Sequence, residues 1–221
     1  MKTILNIICS KKVKYSLILI ILLSLYIFLS AISYVTAISN NLEDNLFRLH
    51  VIANSDSEED QNLKYIVRDN LIEYMNIIAS NTKTKQEAIE IAKEHTDDFY
   101  NIAKQTIIDN GYDYDVDIEI GNFSFPTKTY GDISIPAGQY DALRVKIGKA
   151  EGQNWWCVMF PPLCFVNVSS GIVPAESKKI LENELDDEEY SIISETENKE
   201  VKFKFKIIEL LQNTNILTAK K

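Results

Sequence analysis

Two groups of residues in this sequence are of types that do chemistry. The first is RLHVIANSDSEEDQ, residues 48–61, where Arg48, His50 and Asn54 precede four carboxylates, Asp56, Glu58, Glu59 and Asp60. A histidine with paired carboxylates is the equipment of general acid and base catalysis, so His50, Asp56 and Asp60 would suit a hydrolase. No nucleophile or metal partner stands at a defined spacing from His50, however, and the acids have a local task at a helix start. The second group is Cys157 and Cys164, separated by VMFPPL. Outside the cytoplasm such a pair is expected to form a disulfide. The Pro-Pro turn can bring the two Cα atoms within bonding range, and closing so short a loop contributes roughly 2.5 kcal/mol in the chain-entropy account. Two free thiols are the alternative in a host that lives without oxygen. A zinc site from Cys157, Cys164, His50 and His95 is conceivable, but their spacing does not suggest one. The acids Asp113, Asp115, Asp117 and Glu119 evoke calcium, yet an EF-hand loop needs Gly and Glu where this chain has Ile118 and Ser124. No cofactor is expected.

The elements that must position these residues are legible from periodicity. Leu46 to Ala53 reads as a partly buried strand. Asp56 with Glu59, and Ser57 with Asp60, both match a capping box, and the acids at 58, 59 and 60 suit the positive end of a helix. That helix carries Leu63, Ile66, Val67, Leu71, Tyr74, Met75 and Ile78 as an apolar stripe and ends near Asn81. A second capping box, Thr84 to Glu87, opens a helix expected to run to Asn110-Gly111, with His95 on its apolar stripe as a packed, hydrogen-bonded core or boundary histidine. Tyr112 to Ile120 alternates strictly and predicts a half-buried strand with a solvated acidic face. Phe123–Phe125 is read as extending the hairpin, 133–135 as a short strand and 140–147 as a longer one. NWWCVMF, 154–160, is apolar on both faces and predicts a central strand. The acids of KKILENELDDEEY, 178–190, read as the solvated face of a C-terminal helix, and VKFKFKII, 201–208, as a strand that closes the sheet. The class is α+β: two helices after a first strand, then a mostly antiparallel sheet with a C-terminal helix and closing strand.

The N-terminus sets the compartment. Lys2, Lys11, Lys12 and Lys14 precede an uncharged run from Tyr15 to Leu42. Leu17 to Leu29 fits the apolar region of a secretory signal peptide, with Val35-Thr36-Ala37 offering small residues for cleavage. Tyr15 to Ala37 equally suffices to span a bilayer, for which about 20 apolar residues are enough. Residues 1–37 are thus a signal peptide or a signal anchor, and residues 38–221 a single exported domain. Residues 1–37 hold four of the 23 basic residues and none of the 32 acidic ones, so the domain has 19 bases against 32 acids and a net charge of -13. That argues against nucleic acid or an anionic membrane surface as its partner, since both require clustered Lys and Arg. The membrane is met through the N-terminal segment only.

Three stretches match a known family residue by residue: RLHVIANSDSEEDQNLKYIVRDNL from Arg48, FPTKTYGDISIPAGQYDALRVKIG from Phe125, and GQNWWCVMFPPLCFV from Gly152. They resemble stage II sporulation protein R. The resemblance implies a signalling protein that is not itself an enzyme, made in the forespore and exported into the space between forespore and mother cell. There it would activate a membrane-embedded aspartic protease of the mother cell, so that the sigma-E precursor is processed. Large aromatics dominate interface hot spots, which makes Trp155, Trp156 and Phe160, with the Pro161-Pro162 turn as the more exposed part, candidates for the partner contact. Arg48, His50 and Asn54, which capping does not explain, are further candidates. A wall hydrolase, or a structural protein of the intermembrane space, is the alternative; the latter is disfavoured by the absence of repeats or low-complexity tracts.

Overall fold

The structure is a computed structural model that describes residues 11–163, 173, 175–185 and 187–194. The chain divides into two units, Met1–Ile38 and Ser39–Lys221. A helix, α1, runs from Lys11 to Asn45, and its Lys11–Ser30 part is long and apolar enough to cross a membrane.

In the second unit the strand expected from Leu46 to Ala53 is β1, Phe47–Ile52, and it lies inside a four-stranded sheet. The other strands are β2 (Val116–Phe125), β5 (Gly138–Ile147) and β6 (Asn154–Phe160), in the order β2-β5-β1-β6, while β3 (Lys128–Tyr130) and β4 (Ile133–Ile135) form a separate hairpin. Two of the three pairings in the larger sheet are antiparallel; β1 with β5 is parallel. A parallel pair needs a long crossover, and three helices supply it: α2 (Glu58–Ile78), α3 (Lys85–Glu94) and α4 (Thr96–Asp109). The class is the α+β one read from the sequence, with mostly antiparallel pairing. Two short C-terminal helices, α5 (Ala175–Glu184) and α6 (Asp187–Ser194), occupy the region expected to be one. The expected strand at 201–208 lies outside the described residues.

Alternation along β1 assigns its two faces. Phe47, Leu49 and Val51 join Leu143, Val145 and Ile147 of β5 beneath the helices, where Leu63, Val67, Leu71 and Met75 of α2 meet Phe99, Ala103 and Ile107 of α4. Burying a side chain of this size contributes about 1.5–3 kcal/mol, so this interlocked layer holds the fold. Arg48 and His50 are on the opposite face.

The single helix expected from Thr84 to Asn110 is two helices that break at His95, which closes α3 and opens α4. The apolar stripe hides the break, because Ala88, Ala92, Phe99, Ala103 and Ile107 are buried on both sides of it. Of the two placements expected for His95, core or boundary, the structure shows the boundary one, hydrogen-bonded: its Nδ1 lies 2.8 Å from the Tyr74 hydroxyl and 2.7 Å from Asp98 Oδ2. The acidic face of β2 is ion-paired as well as solvated. Asp117 meets Lys146 at 3.0 Å, and Glu119 is paired with both Arg144 and Lys146 across the β2–β5 register.

Candidate functional site

The turn from β1 into α2 shows what the polar residues of RLHVIANSDSEEDQ do. Ser57, extended at φ -63° and ψ 152°, caps the helix by accepting from Asp60 N at 3.2 Å. Asp56 does not cap; its Oδ1 accepts from Gln153 N at 2.8 Å and so ties down the loop before β6. The side chain of Asp60, 4 % exposed, turns inward instead of completing a capping box. It accepts from Ser55 Oγ at 2.5 Å and Asn54 Nδ2 at 2.8 Å, and it is also bonded to the Tyr114 hydroxyl. Burial pushes this carboxyl up, but the hydrogen bonds from Ser55, Asn54 and Tyr114 outweigh it and hold Asp60 below its ordinary value. Asn54 works in two directions, since its Oδ1 accepts from Lys149 N at 3.0 Å. Gly148 and Gly152 permit this approach: a Cβ on Gly152 would stand 2.2 Å from Ser55 O, and one on Gly148, at φ +57°, 2.3 Å from Asn54 Oδ1.

Arg48 and His50 are interior residues of the sheet, 0 % and 6 % exposed. The Arg48 guanidinium lies 4.1 Å from the centre of the Phe125 ring and 4.8 Å from that of Tyr140, a cation–π arrangement. Arg48 Nη2 donates to the Tyr130 hydroxyl at 2.8 Å and Nε to Cys157 O at 3.3 Å, while Tyr130 donates onward to Trp156 O at 3.1 Å. This chain of contacts fastens the β3–β4 hairpin to β1 and β6. His50 stacks on Trp156 with centroids 3.7 Å apart, and its Nε2 lies 2.7 Å from Asn154 Oδ1. Burial, reinforced by the charges of Arg144, Arg48 and Lys146, lowers its pKa to about 4 against the opposing Asn154 hydrogen bond, so His50 is neutral near pH 7. The acid and base set imagined for a hydrolase is not brought together: His50, Asp56 and Asp60 each have other partners. Nor is the conceivable zinc set. His50 and His95 are bonded elsewhere, Cys157 is disulfide-bonded, and Cys164 lies outside the described residues.

β6 carries the remaining candidates. Antiparallel pairing places Trp156 opposite His50 and Trp155 opposite Val51, so the two indoles lie on opposite faces of the sheet. Phe160 is buried, as is Pro161, and Pro162 is half-buried, so the turn expected to be exposed is largely packed. Trp155 and Trp156 both line an open cavity. This cleft of about 470 Å³ is lined by both tryptophans and by Tyr65, Lys64, Arg68 and Lys128, among others. The Arg68 guanidinium lies 4.2 Å from the centre of the Trp155 ring and 5.0 Å from that of Tyr65, and these two rings meet edge to face at 5.5 Å.

Sequence reading missed the cations of this cleft. The signal was present: positions 60, 64, 67 and 71 recur at helical spacing and all four are buried, so Asp60 and Lys64 fall on the inward stripe of α2. Lys128 carried no such signal.

The family model described as stage II sporulation protein R matches residues 43–170, a span that includes every residue lining the cleft. Stage II sporulation protein R of Bacillus subtilis (strain 168) is 36 % identical over 152 residues, covering 66 % of this chain and 68 % of that protein. No solved structure matches. With more than half of its length matched by the family model, and a relative this similar over two thirds of its own length, the chain belongs to the stage II sporulation protein R family and has a role in sporulation signalling.

Proposed function

We propose that residues 38–221 act as an exported signal between two cells: made in the forespore, the domain enters the space facing the mother cell and there activates a membrane-embedded aspartic protease that processes the sigma-E precursor. Family membership is the observation that carries this reading. An N-terminal helix of membrane-crossing length supports export, and a net charge of -13 (19 bases, 32 acids) suits a soluble domain that does not lie flat on an anionic bilayer. The domain is a trigger and not an enzyme. It works by binding the active arrangement of the protease more tightly than the inactive one, since only a differential affinity shifts an equilibrium between states. Trp155 and Trp156, at the cleft, are the residues we assign to the contact, and Cys157 and Cys164 the pair we assign to the disulfide. The test is to delete the gene in its own host and follow the sigma-E precursor by immunoblot through sporulation. The precursor should persist uncleaved and be processed again when the full chain is restored. Unchanged processing in the deletion strain would refute the reading.

A further inference from the structure

The cleft beside β6 has a charge opposite to that of the domain around it. Residues 38–221 have 19 basic residues against 32 acidic ones, yet Lys64, Arg68 and Lys128 all line this one cavity. Lys64 is 1 % exposed, and its ammonium donates to Gln61 Oε1 at 2.5 Å and to Gln153 O at 3.0 Å. Neither Lys64 nor Lys128 has a carboxylate within ion-pair distance among the described residues. Arg68 pairs with Asp69 at 2.6 Å, but Asp69 is 62 % exposed, and such a surface pair contributes little. A buried ammonium without a matching anion is costly. Consistent with that cost, burial, followed by the charge of Arg68, holds Lys64 below its ordinary pKa against the weaker, opposing charge of Asp56. The cavity walls are aromatic, and the Trp155 Nε1 is buried without a hydrogen-bond partner among the described residues. Its volume lies within the range of small-ligand pockets, about 300–1,000 Å³.

From this arrangement we infer that the cleft is a binding site for a peptide carboxylate, a chain terminus or an acidic side chain, held by Lys64, Arg68 and Lys128 with its neighbouring apolar residue against Trp155 and Tyr65. The global charge selects among anions. A phosphate-rich surface such as a bilayer or a nucleic acid presents many charges at once and is repelled by a domain of net charge -13 (19 bases, 32 acids). A single carboxylate on an apolar peptide has one charge to neutralise and a side chain that gains from aromatic contact. The inference deepens the proposed contact at Trp155 and Trp156, and it rests on that reading only for the identity of the protein that supplies the peptide.

Trp155 and Trp156 are the two tryptophans of the whole chain and both line the cleft, so indole fluorescence of the full-length protein in detergent responds to its occupation. Five probes separate the sources of charge: acetyl-leucyl-leucine with a free carboxylate, its C-terminal amide, acetyl-leucyl-glutamate amide, inorganic phosphate, and phosphatidylglycerol vesicles. A saturable change is expected with either carboxylate peptide, and about tenfold weaker binding in Lys128→Gln and in Arg68→Gln. Lys128→Gln should leave the unliganded spectrum unchanged, which keeps folding separate from binding. The inference is overturned if no probe gives saturation up to millimolar concentration. It is equally overturned if the amide, phosphate or vesicles bind as well as the carboxylates, or if both variants bind like the parent. None of these titrations involves the protease, so their failure would leave the activation reading standing. Unchanged precursor processing in the deletion strain would instead sink activation and leave the cleft's chemistry as measured.

Discussion

The buried histidine on β1 makes the stability of this domain depend on mild acid in a calculable way. His50 is neutral in the folded chain because burial, reinforced by Arg144, Arg48 and Lys146, holds its pKa at about 4 against an ordinary 6.5. In the unfolded chain it takes up a proton near 6.5. The unfolded state therefore binds more protons between these two values, and stability must fall as pH falls through that window. The contribution is fully present above about pH 7, declines from 6.5, and levels off once pH is below 4. The gap corresponds to about 3 kcal/mol, a large share of a typical 5–15 kcal/mol total. Urea unfolding of the full chain at a series of pH values, followed by tryptophan fluorescence, measures it directly, because Trp156 is stacked on the imidazole. His50→Phe preserves a ring against Trp156 and gives up the bond to Asn154, so its cost relative to the parent should be greatest above about pH 7 and shrink by about 3 kcal/mol as pH falls to 4, because the variant lacks the decline between 6.5 and 4. Parent and variant curves of the same slope in that window would refute the reasoning. So would an imidazole that titrates near 6.5 in the folded protein by NMR, and such a histidine would again be available as an acid or base catalyst.

Further outcomes follow from the same geometry. Asp60→Ala removes the acceptor of Ser55 and Asn54 and should destabilise the chain by about 3 kcal/mol at neutral pH; because the folded carboxyl lies below its ordinary value, the parent's advantage should persist above about pH 4 and fade below it, as urea midpoints at pH 7 and pH 3 would show. Gly152→Ala forces a Cβ to 2.2 Å from Ser55 O, which should cost about 2 kcal/mol and appear as a lower melting temperature with unchanged helix content by circular dichroism. Trp155→Ala removes the indole that lies under Arg68 and meets Tyr65 edge to face and should reduce sigma-E precursor processing while the protein is still exported and folded; full processing would remove Trp155 from the contact.

The helix starts were legible because capping is local chemistry. Ser57 and Thr84 each accept the amide three residues on, from Asp60 and Glu87, both at 3.2 Å. The alternation of Val116, Ile118 and Ile120 against Asp117 and Glu119 likewise survives folding, because a strand keeps its period wherever it lies. The break at His95 was not legible, since a helix that bends around a core keeps its apolar stripe through the bend. The central position of β1 was hidden by Arg48 and His50, polar side chains that a central strand rarely carries. Their acceptability depends on Phe125, Tyr130, Tyr140, Asn154 and Trp156, all distant in sequence. The cleft was illegible for the same reason: Lys64 and Arg68 belong to α2, Lys128 to the hairpin and the tryptophans to β6, and only the crossover from β1 through the helices to β5 assembles them.

Activation of the protease is tested most directly by reconstitution in a bacterium that does not sporulate. The full chain, the membrane-embedded aspartic protease and the sigma-E precursor are produced together, and precursor cleavage is compared with that in cells lacking this chain and in cells producing residues 38–221 without the export segment. Cleavage is expected only when the exported form is present. Cleavage that proceeds equally without it, or with the form retained in the cytoplasm, would contradict the account.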